Sequence, residues 1–279
     1  MVSPSKRPRL LDQVRDEIRR RHYSIRTEQS YVEWIRRFIL FHGKRHPSTM
    51  GRDEVEQFLT YLAVERHVSA STQNQAFSAL LFLYREVLEI ALPSVEDVVR
   101  AKRPTRVPVV LTRQEVAQIL AHLQGVHYDL AGLMYGSGLR LMEAVRLRVQ
   151  DVDFGYRQVT VRNGKGQKDR VTPMAESMVE NLRARIRTTL TLHDQDCAAG
   201  YGAVYLPNAL AVKYLSAPTQ PGWQYVFPAP RLSRDPRSDR IGRHHIGAQP
   251  VQRAVKRAVL KSGVSKNRSA QREERAAAG

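Results

Sequence analysis

Apolar positions follow a helical period along most of this chain and shift to a strand period in one short stretch. Leu11, Val14 and Ile18 recur at helix spacing with arginines between them. Tyr31, Trp34, Ile35, Phe38 and Phe41 then recur at intervals of three and four, and this aromatic stripe reads as core. Residues Ser24 to Glu28 carry a helix-start signal, with Thr27 as the expected N-cap. Pro47-Ser48-Thr49 interrupts the pattern. A third helix is predicted from about Arg52, with Val55, Phe58, Leu59 and Leu62 on one face. A fourth follows the cap Ser69-Ala70-Ser71-Thr72 and carries Ala76, Leu80, Leu83, Tyr84 and Val87. The expectation is a compact, all-helical domain over 10–101.

Lys102-Arg103-Pro104-Thr105-Arg106-Val107-Pro108 is basic and holds two prolines that cannot continue a helix, so 102–110 reads as a linker. It suits a clamp closing around a duplex and a solvated connector equally well. A second domain is expected over 111–265. Thr112 and Glu115 form a capping box at its first helix. A helix over about 127–136, the turn Gly136-Ser137-Gly138 and a helix from Arg140 to about Arg148 follow. Val159, Thr160 and Val161 then alternate between Gln158 and Arg162, Asn163-Gly164 turns the chain, and Arg170 to Pro173 returns. Helix resumes over about 175–192. The stretch 194–250 is rich in Gly, Pro, Tyr and Arg, with one short helix predicted around Asn208–Tyr214. A segment that long and irregular inside a compact domain is often functional. Pro250 opens a last helix, Val251 to Ser262. The tail 266–279 is polar, charged and alanine-rich, and reads as frayed or disordered. The fold class is mainly α with a small antiparallel β-sheet.

Composition adds a partner class. The chain has 279 residues, 45 Lys and Arg against 27 Asp and Glu, and a formal charge of +18. An excess of that size favours a polyanion, with nucleic acid first and an anionic membrane surface second. No apolar run approaches the roughly 18 residues of a spanning helix. Met1 to Arg9 is charged but has no apolar run behind it, so it is no signal peptide. Cys197 is the only cysteine, which rules out a disulfide or a cysteine-built zinc site within one chain and fits the cytoplasm.

Two segments carry candidate chemistry. In Tyr135-Gly136-Ser137-Gly138-Leu139-Arg140-Leu141-Met142-Glu143, Arg140 stands at a helix start, where a planar guanidinium can grip two phosphate oxygens. In Gly164-Lys165-Gly166-Gln167-Lys168-Asp169-Arg170, Lys165 sits at a hairpin tip able to enter a groove and protonate a leaving oxygen, with Lys168 and Arg170 on the backbone. Taken singly, Arg140 reads as well as a surface arginine and the lysine turn as a solvated loop. Arg36 and Arg37, like Arg19 to Arg21, read equally as a solvated face and as phosphate contacts. No third ligand is spaced to make a metal site with the adjacent His244 and His245.

Together the two segments resemble the tyrosine recombinase (phage integrase-like) family, and Val149-Gln150-Asp151-Val152-Asp153 between them also fits. The stretches Tyr23 to Tyr31 and Phe38 to His42 are similar to the family's SAM-like core-binding domain. With Arg234-Asp235-Pro236-Arg237 and Arg243-His244-His245 they point to the integron integrase branch. The resemblance implies a two-domain DNA clamp in which a tyrosine attacks a phosphodiester and forms a 3′-phosphotyrosyl link, with no ATP, metal or other cofactor. Arg140 matches the first family arginine and Lys165 the hairpin lysine. DNA is the implied partner, including cassette sites presented as folded single strands, bound by a homo-oligomer that is a tetramer in the family. The insertion 194–250 would hold extrahelical bases by stacking, with Trp223, Pro236, His244 and His245 as candidates and Arg243 beside them.

The sequence also departs from the family. His-x-Leu-Arg-His and the nucleophilic tyrosine do not occur after the Val251 helix, and the last tyrosine is Tyr225. The expectation is an incomplete, C-terminally truncated catalytic domain that binds DNA without cleaving it. A non-catalytic regulatory module at recombination sites, or a poorly folding remnant with exposed apolar faces, are the other readings.

Overall fold

The computed structural model describes residues 9–90, 109–162, 164, 168–206, 210–236 and 238–264. The chain divides into two compact units, Met1–Val107 and Pro108–Gly279. Residues 102–108 of the expected 102–110 linker, Lys165, Arg237 and the tail 266–279 lie outside the described residues.

Among its described residues the first unit packs four helices, α1 (Leu10–Arg20), α2 (Ile25–Phe41), α3 (Arg52–Val64) and α4 (Ala70–Phe82). Ser24, not the expected Thr27, caps α2: its hydroxyl accepts the Thr27 N–H at 3.1 Å. Thr27 is thereby the third helical residue, the position whose free N–H an N-cap side chain satisfies. Ser69 caps α4 in the same way. The chain then widens into a π turn over Leu83–Val87, which buries Tyr84 and lets its hydroxyl donate to Pro47 O at 3.0 Å. Phe38 lies edge-on to Phe58 and Tyr84 at the centre of the core. Of the aromatic stripe, Trp34 and Phe38 are buried, whereas Phe41 stays 40% exposed against Tyr61.

The second unit begins with α5 (Arg113–Leu120), where Thr112 and Glu115 complete the expected capping box. α6 (Gly125–Ser137) ends on Gly138 at φ +62°, a left-handed cap that glycine adopts without strain. α7 is short, Leu141–Val145, and stops well before the expected Arg148. It stops because Leu147 and Val149 pair with a distant strand-like segment: Val226 N–H donates to Leu147 O and Val149 N–H to Gln224 O. A three-stranded antiparallel sheet follows, with β1 (Val152–Asp153), β2 (Gln158–Val161) and β3 (Arg170–Pro173) in that order. Its register sets Val159 opposite Thr172 and Val161 opposite Arg170, and buries both valines.

A short 3₁₀ turn precedes α8, which runs Val179–Ala198 and so continues past the expected end near Leu192. The insertion that follows is not wholly irregular. It holds α9 (Leu210–Lys213), two 3₁₀ turns and a hairpin of β4 (Ser233–Arg234) and β5 (Ile241–Gly242). α10, Ala248–Lys261, buries Val251, Ala254 and Ala258. Leu130, Leu133, Leu182, Val226 and Phe227 are fully buried at the centre of the second core. Among the described residues no helix is long and apolar enough to cross a membrane.

Candidate nucleic-acid interface

Arg140 is placed by a tight exit from α6. Gly138 reverses the chain, Leu139 is buried and donates its N–H to Met134 O, and Arg140 then caps α7. Glu143 organises the site. It accepts the Arg140 backbone N–H at 2.9 Å and the Arg140 Nη1 at 2.9 Å. From β3, Arg170 donates Nη1 and Nη2 to its two oxygens at 3.0 and 2.7 Å. The bidentate Arg170 pair is the main reason the Glu143 carboxyl titrates at about 2, with the Arg140 donors adding to it against the cost of burial. One partly buried carboxylate therefore holds two partly exposed guanidinia side by side, a net positive spot shaped for phosphate oxygens.

The hairpin rises directly from this spot. Gly164 donates its N–H to Lys168 O at 3.0 Å. A Cβ on Gly164 would lie 2.9 Å from Arg170 Nη1 and 3.5 Å from Glu143 Oε1, so glycine lets the hairpin lean on the ion pair. Lys165 is outside the described residues, but its neighbour Gly164 is in contact with the Arg170–Glu143 pair. Thr172 Oγ1 donates to Ser137 O at 2.7 Å and ties β3 to the end of α6.

A second cluster forms where the insertion meets Leu147–Val149. Arg148 is buried, 7% exposed, and among the described residues no carboxylate forms an ion pair with its guanidinium. Nη1 donates to Trp223 O at 2.5 Å and Nη2 to Tyr205 O at 2.8 Å, while the group lies 4.5 Å from the Tyr225 ring and 5.6 Å from the Trp223 ring. Burial pulls its pKa below the usual arginine value. On the other side, Tyr225 meets His244 at 5.4 Å and His245 at 5.3 Å, and the two imidazoles lie 4.1 Å apart. Desolvation lowers both histidines, His245 to about 4, so both are neutral at physiological pH. Three of the four expected base-stacking residues, Trp223, His244 and His245, are thus gathered around Tyr225 and Arg148.

Comparison with known proteins follows this division of the chain. Residues 10–94 match the phage integrase N-terminal SAM-like domain and residues 109–272 match the phage integrase family. An integrase/recombinase of Escherichia coli and one of Pseudomonas aeruginosa are each 47% identical over 265 residues, 95% of this chain and 79% of theirs. The chain belongs to the phage integrase family of tyrosine recombinases. The fold agrees: a lambda integrase tetramer bound to a Holliday junction superposes with TM-score 0.57 at 17% identity, over 92% of this chain and 63% of that one. A lambda integrase dimer bound to a COC′ core site gives the same score at 18% identity, over 92% and 78%.

In this integrase the remaining expected positions differ in surroundings. Arg36 and Arg37 are exposed on α2, both paired with Glu33, and Arg37 also lies 5.0 Å over Trp34. Lys168 is exposed beside the hairpin tip. Pro236 is exposed in the turn of the β4–β5 hairpin. Arg243 instead faces inward. Its Nε and Nη2 bind the Asp196 carboxylate at 2.5 and 2.7 Å, and Nη1 donates to Ala229 O at 2.9 Å. It fastens the insertion to α8. Among the described residues no group of three or more His, Cys, Asp or Glu is placed to hold a metal ion. Sequence reasoning assigned no role to Glu143, Arg148 or Asp151, which takes the Arg162 Nε at 2.5 Å and the Arg148 N–H at 3.1 Å. Only Glu143 left a trace, as an acid three residues past a helix-opening arginine.

Proposed function

We propose that this chain recognises integron-type recombination sites, including cassette sites folded from single strands, and grips the scissile phosphate with Arg140 and Arg170. The observation that carries the reading is the shared carboxylate: Glu143 sets both guanidinia on one face, next to the hairpin that bears Lys165. Phosphoryl transfer asks a protein for positioning and for neutralisation of developing charge, which two arginines supply without ATP or metal. Lys165 is the proposed proton donor to the leaving oxygen. Lys168, Arg36 and Arg37 contact the backbone, and Trp223, His244, His245 and Pro236 receive an extrahelical base. The protein works in the cytoplasm as a homo-oligomer on DNA.

Within these 279 residues no tyrosine follows Tyr225 and His-x-Leu-Arg-His is absent. On this reading these 279 residues bind DNA and lack the groups that would form the phosphotyrosyl bond. A nicked suicide substrate carrying a cassette site tests both halves. The expected result is a salt-sensitive complex that dissociates in denaturant. A covalent adduct would overturn the non-cleaving half, and binding insensitive to salt would overturn the phosphate-gripping half.

A further inference from the structure

Arg148 combines features that a core residue seldom has. Its guanidinium is buried with no direct carboxylate ion pair among the described residues, its donors go to the main-chain carbonyls of Trp223 and Tyr205, and it lies over the Tyr225 ring. Burying a guanidinium is costly, and here the cost is offset by bonds to two carbonyls and by the attraction of Asp151 rather than by a direct ion pair. Geometry is the better account of it. Arginine's rigid fork can hold two carbonyls from separate turns of the chain while its flat face sets the tilt of an aromatic ring.

The stretch it fastens to the Tyr205 segment carries the stacking surface: Trp223 and Tyr225 are two residues apart, the guanidinium lies near both rings, and His244 and His245 both pack on Tyr225. The imidazoles are further fixed by strand-like bonds, Ala229 N–H to His244 O and Ile246 N–H to Phe227 O, both 2.7 Å. His245 Nδ1 donates to Ile246 O at 2.7 Å, which fixes the ring and leaves Nε2 as its acceptor nitrogen. Arg148 reaches both the Trp223 turn and the Tyr225 ring in a single contact set.

We infer that Arg148 is a positioning residue for recognition of an unstacked nucleobase: it sets the spacing between Trp223 and the Tyr225–His244–His245 group into which the base inserts. The inference rests on the proposed base-holding role of those residues. The ligand class is a neutral planar base bulged from a DNA hairpin. Arg148 touches neither the base nor the phosphate.

The test uses the full chain and two DNA hairpins that differ only by one extrahelical 2-aminopurine. The parent is expected to favour the bulged hairpin by about ten-fold, the scale of one base–aromatic stack, and to quench the probe. Arg148→Met should lower that ratio to near one and abolish most of the quenching, while its melt stays cooperative. Arg148→Lys, which keeps the charge and loses the fork, should recover only part of the quenching; it also carries the comparison if the Met variant fails to fold. A residue that merely stabilises the fold would shift the melt and leave ratio and quenching alone, and that result overturns the inference. Trp223→Ala separates the two readings. If it abolishes the preference while Arg148→Met and Arg148→Lys keep it, base recognition stands and the positioning role falls. If the parent shows no preference, base recognition and the positioning role fall together.

Discussion

Replacing Glu143 by glutamine removes one negative charge and keeps the side-chain shape, so it isolates the electrostatic work of the shared carboxylate. In the fold that carboxyl is lowered from 4.5 to about 2, chiefly by the bidentate bond from Arg170. A shift of that size corresponds to about 3 kcal/mol between the two protonation states. Arg140 and Arg170 are 58% and 36% exposed on their side chains, so solvent screens much of it. The expected loss in Glu143→Gln is therefore about 1–2 kcal/mol at pH 7. The sign follows from linkage. A carboxyl depressed in the folded state stabilises fully above its unfolded value near 4.5, and the contribution disappears as pH falls towards 2. Urea unfolding of parent and variant from pH 7 down to pH 3 should show the gap narrowing below about pH 4.5. A gap of constant size over that range would refute the reasoning, as would a gap indistinguishable from zero at pH 7.

Two further predictions concern the backbone that delivers these groups. Gly138→Ala forces a Cβ into the left-handed region at φ +62° and should cost about 1–2 kcal/mol, with a matching fall in phosphate-dependent DNA affinity because Arg140 follows two residues later; equal affinity in gel shifts would show that Arg140 is placed some other way. Ser24→Ala should cost about 1 kcal/mol in thermal unfolding, and Thr27→Ala clearly less, since Ser24 Oγ is the group that accepts the helix N–H. Equal losses would return the cap to Thr27.

Local chemistry made much of the fold readable. The hairpin of β2 and β3 was legible because alternation and Asn163-Gly164 are short-range signals, and so was the end of α6 at the Gly138 turn. Ser69 and Thr112 announced their helices for the same reason. The family likeness was legible because its motif residues stand at fixed positions along the chain, and the arginine and the hairpin of the candidate site came with it. Long-range pairing was not legible. The segment after Val145 has helix-forming residues, yet it leaves the helix because the 224–226 strand offers its hydrogen bonds to Leu147 and Val149. Phe41 keeps helical spacing with Phe38 but sits at the rim, since spacing fixes a stripe and not where a neighbouring helix ends.

The sequence alone determined which residues were charged and where several helices began, and it singled out one arginine and one lysine as candidates for the chemistry. Only the tertiary structure decided what each charge does. Arg170 and Arg243 look alike in the sequence as arginines in basic, polar stretches. One shares Glu143 with Arg140 at the surface, and the other is consumed by Asp196 on α8. Arg148 is sealed among carbonyls and rings brought from the far end of the insertion. A charge acts through the groups within a few ångströms of it, and those groups come from parts of the chain that only folding brings together.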